Sequence, residues 1–334
     1  MTTNRDPGLL PAAVADGRPL LQFTALGLVL SGGFALFLAA GEQFLPHDVA
    51  HLGMSADDLC AIAGCRVVDF MFHDRVAFGG AIISIGLLYL WLIAFPLSAG
   101  EAWAWWTLAV SGTVGFGSFL AYLGFGYLDT WHLTATLALL PCFFAGVLRA
   151  RTLVSPLVGI RVLLEPGTEI SWRTAAGIGR VCLLATALGM IGGGLTITLL
   201  GMTRVFVPQD IDFIGLEPAQ LRAINDRLVP VIAHDRAGYG GATMTAGIIT
   251  LLCIWCGRPT HALWQVLFLA GLVGFGCAIG IHPIVGYDDL VHLAPAIIGA
   301  LLLTLGLTLS YRPMHTATIP ARHEVAPETR DAHR

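Results

Sequence analysis

The chain has 334 residues, 56% of them hydrophobic and only 12% charged, with a net charge of −4. Soluble domains carry about 25% charged residues, so this composition excludes an ordinary soluble fold. All 18 basic residues are arginine, which rules out a Schiff-base lysine, a phosphate-loop lysine or a lysine general base, and no basic field is offered to nucleic acid.

Eight apolar runs follow in chain order, at 20–41, 76–98, 103–126, 133–148, 178–203, 237–257, 260–281 and 290–310. All but the fourth approach or exceed the roughly 20 residues that span a hydrocarbon core. The fourth is expected to start a turn earlier, at Asp129–His132. Arg180 near the start of the fifth run can snorkel to the interface, and otherwise no Asp, Glu or Arg lies inside a run. The expected fold is all-α and integral to the membrane, with eight transmembrane helices. Ala39-Ala40-Gly41 would also suit signal-peptide cleavage, but the fifth run, its equivalent in the repeat described next, must stay in the membrane.

The sequence is written twice. "FHDRVAFGGAIISIGLLYLWL" from Phe72 returns as "AHDRAGYGGATMTAGIITLLCIW" from Ala233. "FLPHDVAHLGMSADDLCAI" from Phe44 pairs with "FVPQDIDFIGLEPAQLRAI" from Phe206, and "GYLDTWHL" from Gly126 pairs with "GYDDLVHL" from Gly286. The expected organisation is a cytoplasmic N-terminal segment (1–19), a first four-helix repeat (20–150), a linker (151–177), a second four-helix repeat (178–310) and a disordered tail (311–334). An even number of spans keeps both repeats in the same orientation, with a pseudo-two-fold axis along the membrane normal.

Arginine counting gives the orientation. The side holding both termini has 12 Arg and 8 acids, and the other has 6 Arg and 14 acids. The first should be cytoplasmic, which places the chain in a bacterial inner membrane with the acidic loops outside. Within each outer loop one short helix is expected, opened by Ser55 with Asp58 and by Pro218 with Gln220. The linker string "LVGIRVLLEPGTEISW" reads as a short amphipathic segment on the inner surface. The doublets Gly79-Gly80 and Gly240-Gly241, and Gly189-x3-Gly193 and Gly276-x3-Gly280, suit close helix packing.

The chemistry gathers at the outer ends of the spans. His73-Asp74-Arg75 opens the second and His234-Asp235-Arg236 the sixth. Asp129-x-x-His132 opens the fourth and Asp289-x-x-His292 the eighth. His47, Asp48, His51, His282 and Asp288 are further candidates on the same side. Residues three apart share a helix face, so each half is expected to build one site. In one reading Asp74 and Asp235 cap helices while Arg75 and Arg236 pair with Asp129 and Asp289, and the cluster only locks helices together. In the other, His73, Asp74, Asp129, His132, His234, Asp235, Asp289 and His292 hold a metal ion, or paired histidines clamp haem b, with Arg75 and Arg236 as charge partners. Neither CxxCH nor HExxH occurs, so covalent haem and zincin chemistry lack support. Cys60 and Cys65 could form a disulfide outside the cytoplasm, and Cys253-x-x-Cys256 reads as packing rather than a redox pair.

The strings "MFHDRVAFGG", "FLAYLGFGYLDTWH" and "AWAWW" resemble those of uncharacterised polytopic bacterial membrane proteins, and similar regions accompany flavin dehydrogenases of the dihydroorotate type. The resemblance implies a redox setting and carries over no catalytic residue; this chain has no flavin domain. The expected function is a metal- or haem-binding, redox-related role at the extracytoplasmic face. The expected partners are the lipid bilayer and a membrane redox partner or quinone. A transporter and a non-catalytic subunit of a membrane complex are the alternatives; the spans' lack of carboxylates counts against the transporter.

Overall fold

A computed structural model describes residues 8, 14–120, 124, 127, 130–169 and 171–316. Among them are twelve α-helices and no strand: α1 (Arg18–Ala40), α2 (Pro46–Leu52), α3 (Ala56–Ala63), α4 (Arg66–Leu92), α5 (Ala102–Leu120), α6 (Thr130–Ala150), α7 (Ala175–Met202), α8 (Pro208–Ile214), α9 (Pro218–Ile224), α10 (Leu228–Cys256), α11 (His261–Val285) and α12 (Leu290–Thr316). Seven helices are long and apolar enough to cross a membrane: α1, α4 with its extension to Leu97, α6 extended to Leu153, α7, α10, α11 and α12. The run at 103–126 forms α5, which is not one of the seven. Large apolar side chains on the perimeter stand bare, such as Phe37 at 74% and Leu290 at 73% exposure, which a bilayer would cover.

Two helices run further than their apolar patterns. α4 starts at Arg66 and α10 at Leu228, so each His-Asp-Arg triplet lies about two turns inside its helix rather than at the opening. Asp74 and Asp235 therefore cap nothing. The added turns, "RVVDFMF" and "LVPVIA", are apolar enough to pack beneath the short helices. A second hydrophobic core forms there from Leu59, Val67, Phe70, Leu221, Leu228 and Val231.

The segments 42–65 and 203–227 each fold into two short helices, not one. Ser55 opens α3 with the expected box: its Oγ accepts from the Asp58 N–H at 3.1 Å while Asp58 Oδ2 accepts from the Ser55 N–H at 2.9 Å. Gln220 closes the same loop on Glu217 at the start of α9. The unforeseen helices α2 and α8 begin Pro-x-Asp, with Asp48 accepting from the Leu45 N–H and Asp210 from the Val207 N–H. Proline at the first turn and an acceptor two residues on was the signal, identical in kind to that of α9. Cys60 and Cys65 are joined in a disulfide between α3 and α4.

α4 and α10 form the centre and pack against each other. α4 also packs on α1 and α11, and α10 on α7 and α5. The third helix of each expected repeat thus lies on the second helix of the other. The glycine doublets explain the fit. A Cβ on Gly79 would press on α1 at the Gly32 carbonyl, and one on Gly80 would strike Cys277 of α11; on α10, Gly240 faces Gly194 of α7 and Gly241 faces Ser118 of α5. The pairs Gly189/Gly193 and Gly276/Gly280 have nothing within contact range among the described residues, so these two motifs do not pack the described helices together. The linker forms two 3-10 turns, Arg151–Leu153 and Ile160–Leu164, with Leu157 and Leu164 exposed. Cys253 and Cys256 are buried free thiols, in keeping with packing.

Candidate functional site

The two triplets meet because α4 and α10 are neighbours. Arg75 Nε donates to Asp235 Oδ2 at 2.8 Å, and its Nη1 donates to Asp48 Oδ2 at 2.7 Å. Arg236 mirrors this, with Nε 3.3 Å from Asp74 Oδ2, Nη2 donating to Asp210 Oδ1 at 3.2 Å and Nη1 donating to Asp210 Oδ2. Each arginine therefore ties a carboxylate on the opposite central helix to one on a short helix. Tyr127 donates to Asp48 Oδ1, and Tyr287 donates to Asp210 Oδ1 at 2.8 Å. Arg75 and Arg236 do not bind Asp289, which instead caps α12 by accepting from the His292 N–H at 2.7 Å. Asp129 lies outside the described residues, and Asp288 is exposed.

The histidines sort by the same crossing. His73 of α4 meets His282 of α11, Nε2 to Nε2 at 3.1 Å, and its Nδ1 lies 3.1 Å from Asp74 Oδ1. One ring nitrogen from each of His73, His282 and His292 lies within 4.8 Å of the others. His132 of α6 meets His234 of α10, Nδ1 to Nε2 at 3.0 Å. The expected grouping within halves, His73 with His132 and His234 with His292, is exchanged for one across them. Asp210, Tyr127 and Tyr287 were missed as site residues, although the paired strings set Asp210 opposite Asp48 and the Tyr127 string opposite that of Tyr287.

Among the described residues this layer buries four carboxylates (Asp48, Asp74, Asp210, Asp235) against two guanidiniums. Buried charge is unfavourable unless neutralised, so the excess of two negative charges favours a bound cation. Two nitrogens on one zinc-sized ion, each about 2.0–2.1 Å away, stand about 3.0–3.5 Å apart, which the His73–His282 separation satisfies. The same closeness does not fit haem: two axial imidazoles sit roughly 4 Å apart across the iron, further than either histidine pair here.

Outside the spans, burial opposes ionisation of Asp48, but Arg75 and the Tyr127 hydroxyl outweigh it and hold the carboxyl below its ordinary range. Burial and the Arg227 guanidinium push His51 below its ordinary 6.5. Burial and the Asp210 carboxylate raise the Tyr287 phenol, which stays protonated as a donor. Both depressed groups bind protons more weakly folded than unfolded, so their stabilisation is complete at high pH and lost as pH falls. Thermal unfolding midpoints should hold level above pH 7, begin to fall below about pH 6.5 as His51 titrates, and fall again below about pH 4 with Asp48. His51→Ala should make the first limb shallower; a first limb unchanged in that variant would refute the contribution of His51.

No family model, curated protein or solved structure gives a significant match to this chain.

Proposed function

We propose that the protein is a multi-pass bacterial inner-membrane protein that binds one transition-metal ion at His73, His282 and His292, in a redox-related role at its extracytoplasmic face. The observation carrying this reading is the convergence of the three imidazoles. Asp74 adds to it, because a carboxylate at His73 Nδ1 fixes the tautomer that points Nε2 at a metal. Three histidines leave a coordination position for an exogenous ligand, as in catalytic rather than structural zinc sites. Imidazole ligands also suit copper and iron.

The extracytoplasmic placement and cytoplasmic termini are supported by arginine asymmetry and by the Cys60–Cys65 disulfide, a bond at home in an oxidising compartment. α5 completes eight spans in this proposal. The chain is then two tandem four-helix repeats (20–150 and 178–310), a reading supported by the repeated order long, short, short, long, long, long among the α-helices. Of the other expected ligands, Asp74 and Asp235 act through their hydrogen-bonded neighbours, and His132 with His234 forms the second, pseudo-equivalent pair.

Elemental analysis of the purified full chain should find about one transition-metal ion per protein. His282→Ala, which removes a ligand without touching the ion-pair lattice, should reduce that content at least tenfold while the protein stays monodisperse. Equal metal content in His73→Ala, His282→Ala and wild type would overturn the proposal.

A further inference from the structure

On the His132 side of the bundle, α1, α4, α5, α6 and α10 enclose an apolar cavity of about 210 Å³. Its lining runs along α4 from Phe72 to Tyr89 and along α1 from Leu28 to Ala39, so it extends roughly 20 Å parallel to the helices. Phe34 and Trp131, on α1 and α6, pack at 5.5 Å on its wall, and both are more than a third exposed on the lipid-facing surface. One end is polar, where Arg75, Asp235 and His132 line the cavity. A second, water-sized void of about 10 Å³ lies between His132, His234, Asp235 and Ser118.

We infer that this cavity binds a neutral isoprenoid quinone, with its ring at the Arg75–His132 end and its tail running along α1 and α4. The length and the apolar wall select a chain-bearing lipid over a compact solute. Charge selects the head. Arg75 already donates to Asp235, which lines the cavity beside it, and to the fully buried Asp48 behind the lining, so its positive charge is more than balanced and does not recruit a phosphate headgroup. Among the described residues Nη2 has no hydrogen-bond partner and can donate to a neutral carbonyl oxygen. A flat ring also suits the aromatic surroundings, where Phe78 and Phe119 stand edge-on to His132. The inference stands on this cavity and is independent of the metal proposal.

The test uses the full chain in nanodiscs of phosphatidylglycerol and phosphatidylcholine, titrated with decylubiquinone and followed by quenching of tryptophan fluorescence. Saturable micromolar binding is expected, with Ala135→Trp, which fills the middle of the cavity, and His132→Leu each weakening it at least tenfold. Metal content checks that Ala135→Trp has not disturbed the opposite side, and helical circular dichroism with size exclusion checks the fold by itself. His282→Ala should leave quinone affinity within twofold, so loss of metal and loss of quinone are read separately. Quinone binding that is absent, non-saturable or unchanged in both cavity variants would overturn the inference. So would a tightly held phospholipid, extracted from the protein in stoichiometric amount in place of a quinone.

Discussion

Arg236→Met is expected to destabilise the protein by about 3–5 kcal/mol, seen as a fall of about 4–7 °C in the unfolding midpoint of the detergent-solubilised chain. The guanidinium is buried, and it neutralises Asp210 and Asp74 while donating to the Val205 carbonyl. Methionine fills a similar volume and leaves two carboxylates without their cation. The loss therefore measures stranded charge rather than a cavity. Replacing the carboxylates as well, in Arg236→Met/Asp74→Asn/Asp210→Asn, should restore part of the midpoint, since neutral amides cost less to bury. Arg75→Met should be milder, because the Arg75 side chain is 14% exposed against 7% for Arg236 and water can reach the stranded charge. A change below about 1 kcal/mol in Arg236→Met would mean that the lattice is not what joins α4 to α10.

The second large effect concerns the glycine contact between α7 and α10. A Cβ on Gly194 would fall 2.6 Å from the Gly240 carbonyl oxygen and 2.8 Å from Met244 Cα. Both obstacles are backbone, so no rotamer change relieves them and the helices must separate. Gly194→Leu should cost about 3 kcal/mol or more, or prevent a monodisperse preparation altogether. Gly189→Leu, less than two turns away on the same helix, meets nothing within 4 Å and should fall within about 0.5 kcal/mol of wild type. Equal effects at the two positions would contradict the packing of α7 on α10. The contrast also separates close approach from helix propensity, which improves equally in both variants.

The two positions show how far the sequence could be read. Gly189 and Gly193 form the more familiar spacing, yet their face is bare, while Gly194 is the residue in contact. Spacing marks where helices could approach; which face meets a neighbour depends on the rotation of the whole helix. Histidines posed the same problem. His73, His132, His234 and His292 were legible as one polar layer from the outer ends of the apolar runs. His282 belonged to that layer only as a further candidate, because it stands at the far end of α11, outside the repeated motif. Asp289 had the same spacing to His292 as a paired ligand would, but a carboxylate just ahead of a helix finds unbonded N–H groups first.

By itself the sequence determined the quantities that are local along the chain. Run lengths and the scarcity of charge made long apolar helices, Ser55 and Pro218 set the short helix starts, and the two aligned strings placed His-Asp-Arg at matching points. Which triplet faces which partner could not be written locally, because the two strings carry the same His-Asp-Arg triplet and a neighbouring helix could pack on the helix of either string. The tertiary structure chose the crossed arrangement, α11 on α4 and α5 on α10, where Gly80 and Gly241 admit Cys277 and Ser118. That choice pairs His73 with His282 and His132 with His234, across the expected halves rather than within them. It also decides what the scarce charge does: the arginines spend themselves on buried carboxylates, and the remaining negative excess falls beside histidines.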